Sequence, residues 1–200
     1  MDDAATGLVL HPREGAAFRF DPGALCLELL PTGGPGAYAR YEVLHRPADL
    51  ADWIAACRLH TGEVSVDDSE LAAARELRDA LWRLTEARAA GLAGTAEDYA
   101  AVNRAAAVPP PAPRIGPDGR RAAPGPTTAS AVLSAVARDA VDLFTGPYAD
   151  RIRVCGGHDC QLHFVDTSRP GRRRWCSMER CGNRHKVRAL RARQAGGGEG

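Results

Sequence analysis

The chain has 200 residues, 44% apolar and 26% charged, the proportions of an ordinary globular protein of one or two domains. No apolar run approaches the roughly 18 residues that a membrane span needs, and the start, MDDAATGLVLHPREG, is acidic without the apolar core of a secretory signal; a cytoplasmic location and no membrane partner are expected. The net charge of +1 hides an asymmetry: residues 1–150 carry 14 Arg against 21 acidic residues, a net −7, while residues 151–200 carry 11 Arg and one Lys against four, a net +8. Such a basic end suits an acidic partner such as nucleic acid.

Phe18-Arg19-Phe20 and Leu25-Cys26-Leu27-Glu28-Leu29, around Asp21-Pro22-Gly23, read as two short strands and a tight turn. Pro31 to Gly36 is a loop. From Pro47, the apolar positions Leu50, Trp53, Ile54 and Cys57 follow helical spacing, and Gly62 lies beyond the helix end. Asp67-x-x-Glu70 has the form of a capping box. Behind it, Leu71, Ala74, Leu77, Leu81 and Leu84 run down one face of a long helix to about Ala90. Thr95 is placed to cap a third helix carrying Tyr99 and Val102. The proline-rich stretch AVPPPAPRIGPDGRRAAPGP cannot be helical, and is either a small hairpin around Asp118-Gly119 or a loop. Thr127 or Thr128 caps a fourth helix with Val132, Leu133, Val136, Ala140, Leu143 and Phe144 on one side, stopped by Gly146-Pro147.

We divide the chain near Pro147–Asp150, because four of the six cysteines lie beyond it. Cys26 and Cys57 stand alone and are expected to be buried small apolar residues. Cys155-x4-Cys160-x15-Cys176-x4-Cys181 has the sequence form of a four-cysteine zinc site. Each close pair closes a small loop that places two thiolates on one tetrahedral ion, and the spacer brings the chain back for the second pair. Gly156-Gly157 permits a turned knuckle, Ile152-Arg153-Val154 and Leu162-His163-Phe164-Val165 flank it as hairpin arms, and Ser177 can cap a helix beginning near Met178. His158, His163 or His185 could replace a cysteine, but four thiolates are the favoured set. They leave no open position, so the metal is expected to be structural.

The segment Trp175-Cys176-Ser177-Met178-Glu179-Arg180-Cys181-Gly182-Asn183-Arg184-His185-Lys186 closely resembles the signature of the CGNR zinc-finger family, and the preceding stretch from Cys155, with FVDTSRPGRRRWC, looks like the rest of that motif, about 40 residues in all. Upstream, the Leu25–Leu29 segment, Asp49-Leu50-x-x-Trp53 and Asn103 resemble the ABATE domain that accompanies it. Proteins of this architecture are described as stress-induced transcriptional regulators of bacteria, so the resemblance implies DNA binding.

The basic residues point the same way. Arg172, Arg173 and Arg174 precede Trp175, and Arg180, Arg184, Arg188 and Arg191 are spaced by four, four and three. On a regular helix these last four share a stripe about 80° wide, with Lys186 and Arg193 off it. These arginines and Lys186 are the candidate nucleic-acid contacts. The competing reading is a basic helix that docks on an acidic partner or on the acidic first domain. Asn183 and Arg184 are open to two roles, bracing the knuckle or touching phosphate. Trp175 packs over the metal core or offers a base-stacking platform.

Enzyme signals fail: the sequence has no Gly-rich phosphate loop, no G-x-S-x-G and no H-E-x-x-H. Asp67-Asp68 and Glu97-Asp98 sit at helix starts, where the dipole favours them, and His45 and His60 lack an evident partner. The expected architecture is α+β: residues 1–147 with a small antiparallel sheet and several helices, serving ligand sensing or dimerisation; residues 148–194 as a zinc-binding hairpin plus helix with one structural Zn2+; and residues 195–200 as a disordered tail. The expected partners are DNA, a small-molecule effector and a second copy of the chain.

Overall fold

The computed structural model describes residues 7–12, 15–59, 61, 64–122 and 125–196; His60 and Gly62 lie outside them. Its scaffold is a set of helices whose starts are written in side chains. The long helix α3, Asp68–Ala89, opens on a complete capping box. Asp67 Oδ1 accepts from the Glu70 amide at 2.8 Å, and Glu70 Oε2 accepts from the Asp67 amide at 3.3 Å. The Thr95 hydroxyl accepts from the Asp98 amide and starts α4, Ala96–Ala106. Thr128, not Thr127, caps α5, Ala129–Thr145, by accepting from the Ala131 amide. The apolar stripes expected on α3 and α5 are buried against each other and against α4, except that Phe144 near the end of α5 is half-buried. Helix α2, Pro47–Ala56, adds Leu50, Trp53 and Ile54 to the same core, with Cys57 buried just past its end. Burial pushes the Cys57 thiol up to about 11 and, with Asp139 beside it, raises that of Cys26, so neither is a ready nucleophile.

Strands β1, Leu8–Leu10, and β2, Phe18–Phe20, pair antiparallel with Leu8 opposite Phe20. This corrects the expectation that Phe18–Phe20 pairs with Leu25–Leu29. The second segment contains a short helix, α1, Leu25–Glu28. An alternating strand presumes one wet face, but every residue from Ala24 to Leu30 is buried. Ala24 offers no side chain to cap α1, and Asp139 of α5 does so from 113 residues away, accepting from the Cys26 amide at 2.8 Å. In the proline-rich stretch, β3, Arg114–Ile115, and β4, Arg121–Ala122, form the small hairpin around Asp118-Gly119.

Glu28 is fully enclosed by this arrangement and meets Arg58, whose Nε donates to Oε1 at 2.7 Å and whose amide donates to Oε2 at 3.0 Å. Arg58 also donates to Asp21 Oδ1 at 2.8 Å. Glu28→Ala leaves the Arg58 charge half-buried and without its main partner, and should lower stability by about 3 kcal/mol in urea denaturation. A loss under about 1 kcal/mol would mean that the pair is no more than a surface bridge.

The last strands, β5, Ile152–Val154, and β6, His163–Val165, form an antiparallel hairpin with Val154 opposite His163. Ile152 and Val165 lie in the same buried cluster as the helices. His163, 3% exposed, sets its ring edge-on to Trp82 of α3 at 5.0 Å. A π-helical turn, Met178–Gly182, then leads into α6, Asn183–Gly196. The helix reaches Gly196, and the rest of the tail expected from position 195, residues 197–200, lies outside the described residues. None of the helices among the described residues is long and apolar enough to cross a membrane.

Candidate metal centre and basic surface

The first knuckle grows out of the β5–β6 hairpin. The Cys155 amide donates to the Leu162 carbonyl at 2.9 Å, one step beyond the strand pairing, and the chain between turns tightly where the Cys160 amide donates to the Gly157 carbonyl at 3.1 Å. A Cβ on Gly157 would stand 3.0 Å from both Cys181 Sγ and Cys160 Cβ, so a larger residue there would crowd the two knuckles where they close on each other. The second knuckle is the π-helical turn. The Gly182 amide reaches back five residues to the Ser177 carbonyl at 3.1 Å, and Cys181 is carried inward to face Cys176. Ser177 stands at the expected cap position, but its side chain makes no capping hydrogen bond. A Cβ on Gly182 would lie 2.8 Å from Met178 Sδ and Cε, so a larger residue there would push the exposed Met178 side chain aside.

Cys155, Cys160, Cys176 and Cys181 converge with their sulfurs all within 4.8 Å of one another. Cys176 Sγ is 3.6 Å from both Cys160 Sγ and Cys181 Sγ. Four sulfurs at about 2.3 Å from a tetrahedral zinc stand about 3.8 Å apart, so the donor set fits the ion in type, number and spacing. The Cys176 amide donates to Cys155 Sγ at 3.2 Å. Hydrogen bonds from the Cys160 and Cys176 thiols also hold the Cys155 pKa far below an ordinary thiol, and the same interactions raise those two partners. The three candidate histidines lie outside the ligand set. His158 pairs with Asp159 at 2.7 Å, His163 packs on Trp82, and the His185 ring lies 4.8 Å from Trp175. The site holds one structural zinc on four cysteines.

Around the sulfurs lies a small core that combines both ends of the chain: Phe18, Phe20, Phe164 and three of the cysteines are buried together. Sequence reasoning missed this role of the N-terminal hairpin. The alternation in Phe18-x-Phe20 signalled a buried strand face without saying what covers it.

Arg173 ties the two ends. It was expected on the nucleic-acid surface, yet its guanidinium is turned inward. It donates to the carbonyls of Trp175 at 3.0 Å, Cys176 at 2.6 Å and Asp21 at 3.2 Å, and lies 4.2 Å over the Phe164 ring. Its amide donates to buried Asp166 at 2.8 Å. The three guanidinium bonds commit three of its five donors to backbone oxygens, so it braces the metal loop. Arg180 likewise leaves the expected stripe. The π-helical turn interrupts the 100° advance between Arg180 and Arg184, and Arg180 lies 4.4 Å over the Phe18 ring. Of the arginines expected at the nucleic-acid surface, Arg172, Arg174, Arg184, Arg188 and Arg191 are exposed; Lys186 is exposed on another side of α6. Arg188 has a loose partner in Asp159 at 3.7 Å, with both side chains largely in solvent. Asn183 Nδ2 donates to the Glu179 carbonyl at 3.3 Å, a brace on the turn. Arg174 lies over Trp175 at 5.2 Å and His185 lies beside it, so this indole is a packing residue.

Asp21 gives this junction a pH dependence. Burial opposes its ionisation, but the Gly23 amide and Arg58 hydrogen bonds, with the charges of Arg58 and Arg173, outweigh it and hold the carboxyl below its usual range. Glu42 is lowered in the same way, with Arg78 and the Leu44 amide overcoming burial. A lowered folded pKa stabilises above the unfolded value, near pH 4, and that contribution is lost as pH falls through the folded value. The melting temperature should therefore fall from about pH 4 downward, and Asp21→Asn should flatten part of that fall. An acid limb that is the same in both proteins would dissociate Asp21 from it.

A hairpin, a knuckle and a helix-borne knuckle around four thiolates, set on a helical scaffold, define an α+β zinc-finger protein. The profile of the ABATE family, described as "Putative stress-induced transcription regulator", matches residues 23–147, and that of the CGNR zinc finger matches residues 151–194. The chain belongs to the ABATE family and ends in a CGNR zinc finger. No curated protein matches it.

Proposed function

We propose that this chain is a DNA-binding transcriptional regulator whose zinc finger presents α6 to the duplex. The observation that carries this reading is the exposure of Arg184, Arg188 and Arg191 on one side of α6, a stripe about 60° wide at helical spacing. An Arg face that served docking on the chain's own acidic part would be covered, and this one is open. The residues assigned to DNA contact are Arg172, Arg174, Arg184, Arg188 and Arg191. Arg173 and Arg180 keep the finger in shape, and Lys186 adds general attraction. The ABATE part, residues 23–147, senses a small-molecule effector or pairs two copies in response to stress, in the bacterial cytoplasm, and carries no catalytic centre. The hairpin of β1 and β2 belongs functionally with the zinc finger, although it precedes the ABATE part.

Selection from fragmented genomic DNA with the zinc-loaded chain tests this reading. Recurrent enrichment of particular duplexes, lost in an Arg184→Ala, Arg188→Ala double variant, is the expected result. Retention of no duplex at about 50 mM salt would overturn it and leave a protein-docking role for the basic surface.

A further inference from the structure

The basic surface has two parts of different thickness. One is α6, a cylinder about 10–12 Å across with its side chains, which suits a major groove about 12 Å wide. The other is the segment Arg172–Cys176, which is neither helix nor strand. Its exposure alternates as in a strand: Arg172 out, Arg173 in, Arg174 out, then Trp175 half-buried and Cys176 buried. The inward Arg173 is fixed by its three carbonyl partners and by Phe164, so the two outward arginines are held on a rigid base at a strand-like spacing of about 6.6 Å. Beside them runs a groove of about 520 Å³ lined by the whole stretch from Arg172 to Met178, Arg173 and Cys176 included. Met178 is 53% exposed, an apolar side chain in a cationic setting. The His185 ring against Trp175 places this edge next to the first turn of α6.

We infer that the Arg172–Met178 edge reads the minor groove of A·T-rich duplex DNA next to the major groove that receives α6. This rests on the DNA-binding reading above and adds a source of sequence preference to it. A helix is too thick for a minor groove about 6 Å wide, whereas an irregular segment carrying two arginines is not. A·T-rich minor grooves are narrow and strongly negative, which attracts arginine inserted into them. G·C pairs place the guanine N2 amino group on the groove floor and oppose it. Apolar side chains such as Met are the type that lines or wedges this groove in proteins that use it. Because Arg173 holds the edge in place before binding, little backbone entropy is lost on contact, and the ordering cost is that of the Arg172 and Arg174 side chains.

The test uses the zinc-loaded full chain and three duplexes of equal length whose central segment is A·T, G·C or inosine·C. Inosine·C keeps the major-groove pattern of G·C and lacks the N2 amino group in the minor groove. Fluorescence anisotropy should show A·T and inosine·C bound alike, and both roughly tenfold more tightly than G·C. An Arg172→Ala, Arg174→Ala double variant that retains its zinc should bind all three alike, and none more tightly than the unaltered chain binds G·C. An Arg184→Ala, Arg188→Ala double variant should weaken all three while keeping the tenfold ratio. Inosine·C behaving as G·C, or an Arg172/Arg174 effect equal on all three, overturns the inference while DNA binding itself stands. Binding to none of the three overturns both.

Discussion

Removal of zinc, by chelation or by Cys181→Ser, is expected to unfold residues 151–193 and to release the β1–β2 hairpin with them. The buried cluster around the site is six residues, of which three are ligands, and the remainder, Phe18, Phe20 and Phe164, cannot by themselves hold two knuckles closed. Structural zinc contributes roughly 10–16 kcal/mol in small finger peptides, as much as the whole stability of many domains. The damage does not stop at the knuckles. Ile152 and Val165 leave the core of α3 and α5, His163 leaves Trp82, and Arg173 leaves Asp21. The helical part keeps its capped helices and most of its core, so it should melt as a separate transition at lower temperature. Hydrogen exchange followed by mass spectrometry checks this: amides of residues 8–10, 18–20 and 151–193 lose protection together, while α3 and α5 retain theirs. Unchanged exchange in the β1–β2 hairpin of a zinc-free protein would show that the hairpin is held by something other than the finger.

The helices were legible because their starts are local chemistry. Asp67 with Glu70, Thr95 and Thr128 each satisfy amides within three residues, which a sequence displays directly. The metal site was legible for a similar reason: paired thiols at short spacing have few other uses. What could not be read was anything set by distant partners. Leu25–Leu29 alternates like a strand, yet a carboxylate 113 residues away starts a helix there. Arg172, Arg173 and Arg174 are chemically identical in sequence, and only the carbonyls of Asp21, Trp175 and Cys176 separate the brace from its two exposed neighbours. The stripe from Arg180 to Arg191 assumed a uniform helix, and the π-helical turn that brings Cys181 to the metal breaks that assumption. Function lies in the same places. The positions where regular spacing fails are those where the metal dictates the backbone.

The salt dependence of DNA binding follows from how many arginines remain free. Of the seven in the basic cluster, Arg173 and Arg180 are engaged by the fold, which leaves Arg172, Arg174, Arg184, Arg188 and Arg191 to meet phosphates or the groove walls between them. If all five neutralise phosphate charge, the logarithm of affinity should fall against the logarithm of salt concentration with a slope of about −4.5. Affinity should then drop roughly 500-fold between 50 and 200 mM salt. Arg188→Ala should reduce the slope by about 0.9 and weaken all sequences alike. Arg180→Ala should leave the slope nearly unchanged, because its charge is committed to the Phe18 ring, and should act instead through the stability of the finger. Asp159 competes for Arg188 in the free protein, so Asp159→Asn should raise affinity slightly at low salt and leave the slope per arginine intact. The −7 carried by residues 1–150 would repel a duplex laid against it, which requires that part to project away from the DNA or to be covered in a dimer. Titration of one labelled duplex with the wild type and these three variants at several salt concentrations measures every term. A slope near −2 would mean that most of the exposed arginines never reach phosphate, and equal slopes for Arg180→Ala and Arg188→Ala would contradict the division between bracing and contacting arginines.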